Sequence, residues 1–193
     1  MSPTTRPSGR RAAAGGVTGV TAYLIGYLAV YVTQRARIEE RLEGFNFVTD
    51  LFGGDPIPAW QAVGWVFYNA HGVATEVPQP FGGVRVENFV SSADGGSLAM
   101  LFVVPPILLI AGGIALAALG DANTPGDGAA AGALVAVGYF PLAVAGTFVF
   151  RYAVGEGTVA PDPVTAVLLA GIVFPVVFGA VGGAVGGFVR GER

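Results

Sequence analysis

Four stretches of the chain contain no Asp, Glu, Lys or Arg: Ala12–Gln34, Gly95–Gly120, Gly128–Phe150 and Pro163–Val189, of 23, 26, 23 and 27 residues. Each exceeds the ~20 residues with which an α-helix crosses a ~30 Å hydrocarbon core. Helix is the expected state, because lipid offers no partner to an open backbone group. The prediction is an all-α membrane protein: four spans, about 12–34, 95–120, 128–150 and 163–189, in a single membrane domain over 1–193. Composition agrees. Charged residues make up 12% of the chain, about half the ~25% usual in soluble domains, and the mean hydropathy is +0.64.

Four spans place both termini on one side of a cell membrane. Arg6, Arg10 and Arg11 precede the first run, which is too long for the apolar core of a signal peptide and reads as an anchor that stays. With the N-terminus inside, Arg6, Arg10, Arg11, Arg190 and Arg193 are cytoplasmic and Arg35, Arg37, Arg41, Arg85 and Arg151 are not. That five-against-five count does not orient the chain; a cytoplasmic N-terminus is the expectation adopted.

All 10 basic residues are arginine and the acidic residues number 13. An arginine-only, acid-biased chain fits a high-GC halophile. The absence of cysteine removes disulfides and thiol chemistry, and a net charge of −3 without a basic cluster argues against nucleic acid.

The 35–94 segment is an acidic insert outside the membrane, with eight acidic and four basic residues. It opens with QRARIEERLEGF, a continuation of the first helix in which Arg35, Arg37 and Arg41 can pair with Glu39, Glu40 and Glu43. GVRVENF alternates as a strand does and forms a short hairpin with Val73–Val77. Asp121–Asp127 is a tight turn and Arg151–Asp162 a short loop.

Within the insert, Pro56–Thr75 is uncharged. Its prolines mark a helix start, leaving Ala59–Ala74. Trp60, Val63, Val66, Phe67, Ala70 and Val73 share one side; Gln61, Trp65, Tyr68, Asn69 and Gly72 fall on the other. This is an amphipathic interface helix carrying Trp60, Trp65, Tyr68 and His71, lying on the membrane or tucked against the bundle. A re-entrant or fifth spanning segment is the alternative. His71 has no cluster of ligating partners, so a hydrogen-bonded structural histidine is expected rather than a metal ligand. No serine sits in a nucleophile motif. No catalytic residue, cofactor or metal is predicted.

GWVFYNAH (Gly64–His71), together with RRAAAGG (Arg10–Gly16) and YLIGYL (Tyr23–Leu28), resembles an uncharacterised family of haloarchaeal four-span membrane proteins. The resemblance covers most of the chain. It implies the membrane location and the halophilic source, and it carries over no activity and no catalytic residues.

The spans hold two further features. Gly179, Gly183, Gly187 and Gly191 recur every four residues beside Gly182 and Gly186, and Gly15 and Gly19 start a shorter row in the first span. Such spacing brings helix backbones together, within one bundle or between copies. Leucine at Gly183 is expected to disturb this packing, and alanine less. Pro105-Pro106, Pro141 and Pro175 lie near the middles of three spans and predict kinks. No span contains an ionisable residue, the usual mark of an ion path. The functional expectation is a non-enzymatic structural or interaction protein, as a homo-oligomer or a subunit of a membrane complex. The alternative is a small transporter or channel for a neutral or hydrophobic solute.

Overall fold

The computed structural model describes residues 8–51, 55–79, 82–92, 98–155 and 157–192. Arg6, Arg193, Asp94 and the first residues expected in the second span, Gly95–Ser97, lie outside them.

The chain is mostly helical with one small sheet. Four helices are long and apolar enough to cross a membrane: Gly9–Phe47, Ala99–Leu119, Pro125–Val149 and Pro163–Gly191. The first belongs to α1 (Ser8–Leu51), which runs 17 residues past the uncharged stretch, through the continuation the sequence predicts to Phe45 and six residues beyond it. Arg35 pairs with Glu39 at 2.7 Å. Arg37 and Arg41 are themselves four apart, so they share a face rather than complement each other.

The other spans are interrupted, and prolines account for part of this. A 3-10 turn, Ala99–Val103, leads into α3 (Val104–Leu119). Pro105 and Pro106 thus stand where the 3-10 turns pass into the α-helix. The third span divides into α4 (Pro125–Ala133) and α5 (Ala136–Val149), joined through tight bonds such as Leu134 N–H to Ala131 O. Pro141 lies inside α5. The fourth begins as α6 (Pro163–Thr165), widens into π-helical turns over Ala166–Val173, and resumes as α7 (Phe174–Gly191), with Pro175 in its first turn. Two of the three proline sites expected to kink spans thus stand where a continuing helix passes from 3-10 or π turns into α turns.

Caps explain where the third and fourth spans begin. Thr124 Oγ1 accepts the Asp127 N–H at 3.1 Å ahead of Pro125, and Asp162 Oδ1 accepts the Thr165 N–H at 2.8 Å ahead of Pro163.

The predicted hairpin is present as β1 (Thr75–Pro78) and β2 (Val84–Glu87), antiparallel, turning through Gly82 and Gly83 at φ +90° and +88°. The expected 151–162 loop is instead a second hairpin, β3 (Tyr152–Val154) and β4 (Gly157–Pro161), with Gly155 at φ +57°. β4 joins β1, with Thr75 opposite Pro161 and Glu76 opposite Ala160, giving the order β2-β1-β4-β3. The all-α expectation is corrected to that extent.

Contacts divide the chain into two compact units. The first comprises residues 1–24, 105–142 and 171–193; the second comprises 25–104 and 143–170.

Candidate functional site

The first unit is held by backbone against backbone. Along α7, Gly179, Gly183 and Gly187 face α4 and the turn before it. A Cβ on Gly183 would meet Gly128 O, with Gly128 C at 2.8 Å and Gly132 Cα at 2.9 Å. A Cβ on Gly187 would meet Thr124 O, and one on Gly132 would meet Gly179 O. Gly182 and Gly186 face α3, against Ile110 and against Ile114 and Ala117. On α1, Gly15 meets Leu134, and Gly19 meets Val135 and Tyr139. Two glycine rows on one helix thus take two different neighbours, because a four-residue step keeps each row on its own face.

At one end of this unit Arg190 donates to Ala118 O at 3.0 Å and pairs with Asp121 at 3.4 Å. Asp121 adopts φ +52°, a left-handed conformation uncommon outside glycine. A cavity of about 310 Å³ opens beside it, lined by Arg10, Arg11, Leu116, Leu119 and Leu134 among others.

The second unit is built on α2 (Ala59–Asn69), the helix of the GWVFYNAH stretch. It is not split into a wet and a dry face: Gln61 through Asn69 are all buried. Of the interface-helix residues, Trp65, Tyr68 and His71 are buried, while Trp60 is 42% exposed. The polar side is buried because it has backbone carbonyls to meet. Gln61 Nε2 donates to Arg151 O at 2.8 Å, Trp65 Nε1 to Phe150 O at 2.6 Å, and the Tyr68 hydroxyl to Ala143 O. Phe150 and Arg151 directly follow the last turn of α5, where carbonyls lack partners within the helix. Side chains of α2 therefore cap α5 from outside it.

Phe150, unremarkable in the sequence, sits at the centre of this arrangement. Its ring stacks on Tyr27 at 5.4 Å and packs against Trp60 and Tyr68. Gly64 admits it, since a Cβ there would strike the ring.

Asn69 ties the end of α2 to β1 and to the residues after β2. Its Nδ2 donates to Val73 O at 2.8 Å and Thr75 Oγ1 at 3.0 Å, and its Oδ1 accepts the Phe89 N–H at 2.9 Å. Gly72, at φ +76°, closes the helix, with Val73 N–H on Tyr68 O and Gly72 N–H on Asn69 O.

His71 is fully buried. Its Nδ1 lies 2.8 Å from Phe67 O, a contact that places the proton on Nδ1, and its ring packs edge-on against Phe67 at 4.8 Å. Burial pushes its pKa down to about 4, opposed by the Phe67 bond, so the ring is neutral at physiological pH. Among the described residues, no three His, Asp or Glu side chains gather as a metal site.

One feature carries no signal in the sequence. Between α1 and α2 lies a cleft of about 190 Å³, lined by Gln34, Arg37, Ile38, Arg41, Trp65 and Phe89 among others. Gln34 is 3% exposed, and its Oε1 has no hydrogen-bond partner among the described residues.

A profile of a family of unknown function (DUF7978) matches residues 1–190, and the chain belongs to that family. No curated protein matches the chain. No solved structure matches it.

Proposed function

We propose that this member of the DUF7978 family is a multi-pass membrane protein of a haloarchaeal cell, with both termini cytoplasmic and a structural or interaction role rather than a catalytic one. The close glycine contacts of the first unit carry this reading. Where Gly113, Gly128, Gly132, Gly179, Gly182 and Gly183 meet their neighbours, a single methyl group would collide with backbone. Lipid gives no hydrophobic drive to helix association, so fitted backbone contact is the natural means of holding helices there. Along these contacts themselves there is no room for a solute to pass.

The membrane part of the reading draws on the outward faces. Val177, Val181, Val185 and Phe188 of α7 are exposed, as are Ile107, Ile114 and Leu119 of α3. In water such a surface would far exceed the apolar patches that monomeric proteins tolerate.

Two measurements test the proposal. Alkaline extraction of membranes should leave the protein in the pellet; release into the supernatant would overturn the membrane assignment. Vesicles reconstituted with the pure protein should lose entrapped glycerol no faster than protein-free vesicles. A protein-dependent, saturable flux would replace the structural reading with transport.

A further inference from the structure

The cleft between α1 and α2 has a composition the rest of the insert does not share. On a helix of 3.6 residues per turn, Gln34, Arg37, Ile38 and Arg41 fall within a sector of roughly 100°, and all four line the cleft. Glu39, Glu40 and Glu43 point elsewhere, and Glu39 is engaged by Arg35. In a segment with twice as many acidic as basic residues, the face turned to the cleft is purely basic. Two arginines four residues apart repel each other, which favours an anion beside them. Arg37 makes other interactions as well, so the charge assigned to the cleft is that of Arg41.

The Gln34 amide is the second, independent observation. An unpaired buried polar group costs about 1–3 kcal/mol and calls for an unseen partner. An amide oxygen needs a donor. The remaining wall, which includes Ile38, Leu42, Ala62, Trp65, Val66 and Phe89, is apolar. An occupant must therefore present an anion, a hydroxyl and a hydrocarbon portion. Helical side chains lean towards the N-terminus, so the Arg41 guanidinium is carried along Ile38 in the direction of Gln34. The cleft is smaller than the ~300 Å³ at which whole-ligand pockets begin, so it holds part of a larger molecule.

We propose that this cleft binds the head end of an anionic, hydroxyl-bearing membrane lipid, its phosphate on Arg41, a hydroxyl on the Gln34 amide and its first methylenes against Ile38, Trp65 and Val66. The inference rests on the membrane reading above. Gln34 is the last residue of the first uncharged stretch, which sets the cleft at the level where lipid head groups lie.

The test uses the full-length protein in detergent, with lipid binding followed by native mass spectrometry and by melting temperature. Phosphatidylglycerol supplies charge and hydroxyls, phosphatidic acid the charge without the glycerol head, and phosphatidylcholine neither. Glycerol 1-phosphate supplies the polar end without the chains. Phosphatidylglycerol should bind most tightly, phosphatidic acid next and phosphatidylcholine least, and glycerol 1-phosphate should not bind at millimolar concentration. Arg41→Gln should weaken both anionic lipids by on the order of tenfold, the weight of one charge-assisted hydrogen bond. Gln34→Leu should bring phosphatidylglycerol down to the level of phosphatidic acid. Equal binding of phosphatidylglycerol and phosphatidylcholine, or a preference that both variants retain, overturns the proposal. So does a Gln34→Leu protein that merely melts higher, which would make the partner a water molecule. Tight binding of glycerol 1-phosphate would make the ligand a soluble phosphate. These results are separable from the membrane reading, which alkaline extraction decides.

Discussion

Replacing Gly183 by alanine sets two opposed effects against each other, and the structure determines which wins. Alanine is favoured over glycine in a helix by about 1 kcal/mol. Against this, the new Cβ would sit 2.8 Å from Gly128 C and 2.9 Å from Gly132 Cα, with Gly128 O closer still. Ordinary contact begins at 3.4 Å, so α4 would have to retreat by more than half an ångström. A gap of that size forfeits a quarter or more of each dispersion contact, and α4 holds α7 through Gly128, Gly132 and Thr124 together. Overpacking of this kind costs about 1–3 kcal/mol. Because the obstacle is backbone and cannot rotate away, we take the upper half of that range. The net loss is about 1–2 kcal/mol, or roughly 2–8 °C in melting temperature for a chain of this length. Leucine, with more volume to place, should be worse still. The assay is the melting temperature of purified protein in one detergent. Gly44→Ala is the counter-example: an exposed helical glycine with nothing within 4 Å, where propensity alone acts and the temperature should rise. Val181→Leu, on an exposed face, should change little. If Gly183→Ala raises the melting temperature as Gly44→Ala does, the close-packing argument is wrong.

Three further outcomes are expected. His71 has a folded pKa of about 4 against 6.5 for the free side chain, so the unfolded chain takes up the proton first as pH falls. Stability should drop from about pH 6.5 to about pH 4, by ~3 kcal/mol at 1.36 kcal/mol per unit; in His71→Gln that part of the acid loss should vanish, and identical pH profiles would refute it. Asn69→Ala strips partners from Val73 O, Thr75 Oγ1 and the Phe89 N–H. It should cost about 3 kcal/mol or more and speed amide exchange at Phe89, an effect that a merely local role for Asn69 would not produce. The eight acidic residues of the 35–94 insert should make the melting temperature rise with salt as the Debye length shrinks to ~3 Å at 1 M, and a flat response would count against a halophilic adaptation.

What could be read from the sequence was local. The four apolar helices follow from the length of the uncharged runs, the extension of α1 from a continuing helical pattern, and β1–β2 from alternation around Val84 and Val86. The second hairpin escaped because its strands are short and its decisive pairing, Thr75 with Pro161, joins segments 86 residues apart. The prolines were visible, but their consequence depended on context. The 3-10 turns ahead of Pro105 and the π-helical turns ahead of Pro175 change the helical pitch next to the prolines, which the sequence does not announce. Gln34 was hidden for another reason: a glutamine at the end of an apolar run looks like a boundary residue, and nothing nearby says that α2 and Phe89 close over it.

For α2 the sequence left two places open, on the membrane or tucked against the bundle, and pattern alone does not choose between them. A helix with Gln61, Trp65, Tyr68 and Asn69 on one side is amphipathic by pattern, and pattern equates a polar side with water or with lipid head groups. Here Gln61 and Trp65 meet carbonyls just past the end of α5 and Tyr68 meets one within it, 75 to 90 residues along the chain. Hydrogen-bond donors aimed at backbone carbonyls are as well satisfied as donors aimed at water, so the same periodicity serves either place. The two units therefore encode their packing differently. In the first, partners meet through the absence of side chains, and glycine spacing records this within a single helix. In the second, they meet through donors matched to distant backbone, and only the three-dimensional structure supplies the acceptors. Substitutions should sort accordingly. At the glycine contacts of the first unit added volume is harmful whatever its polarity. In the second, Tyr68→Phe, which keeps the ring and loses only the hydroxyl, should lower the melting temperature by removing the buried bond to Ala143 O.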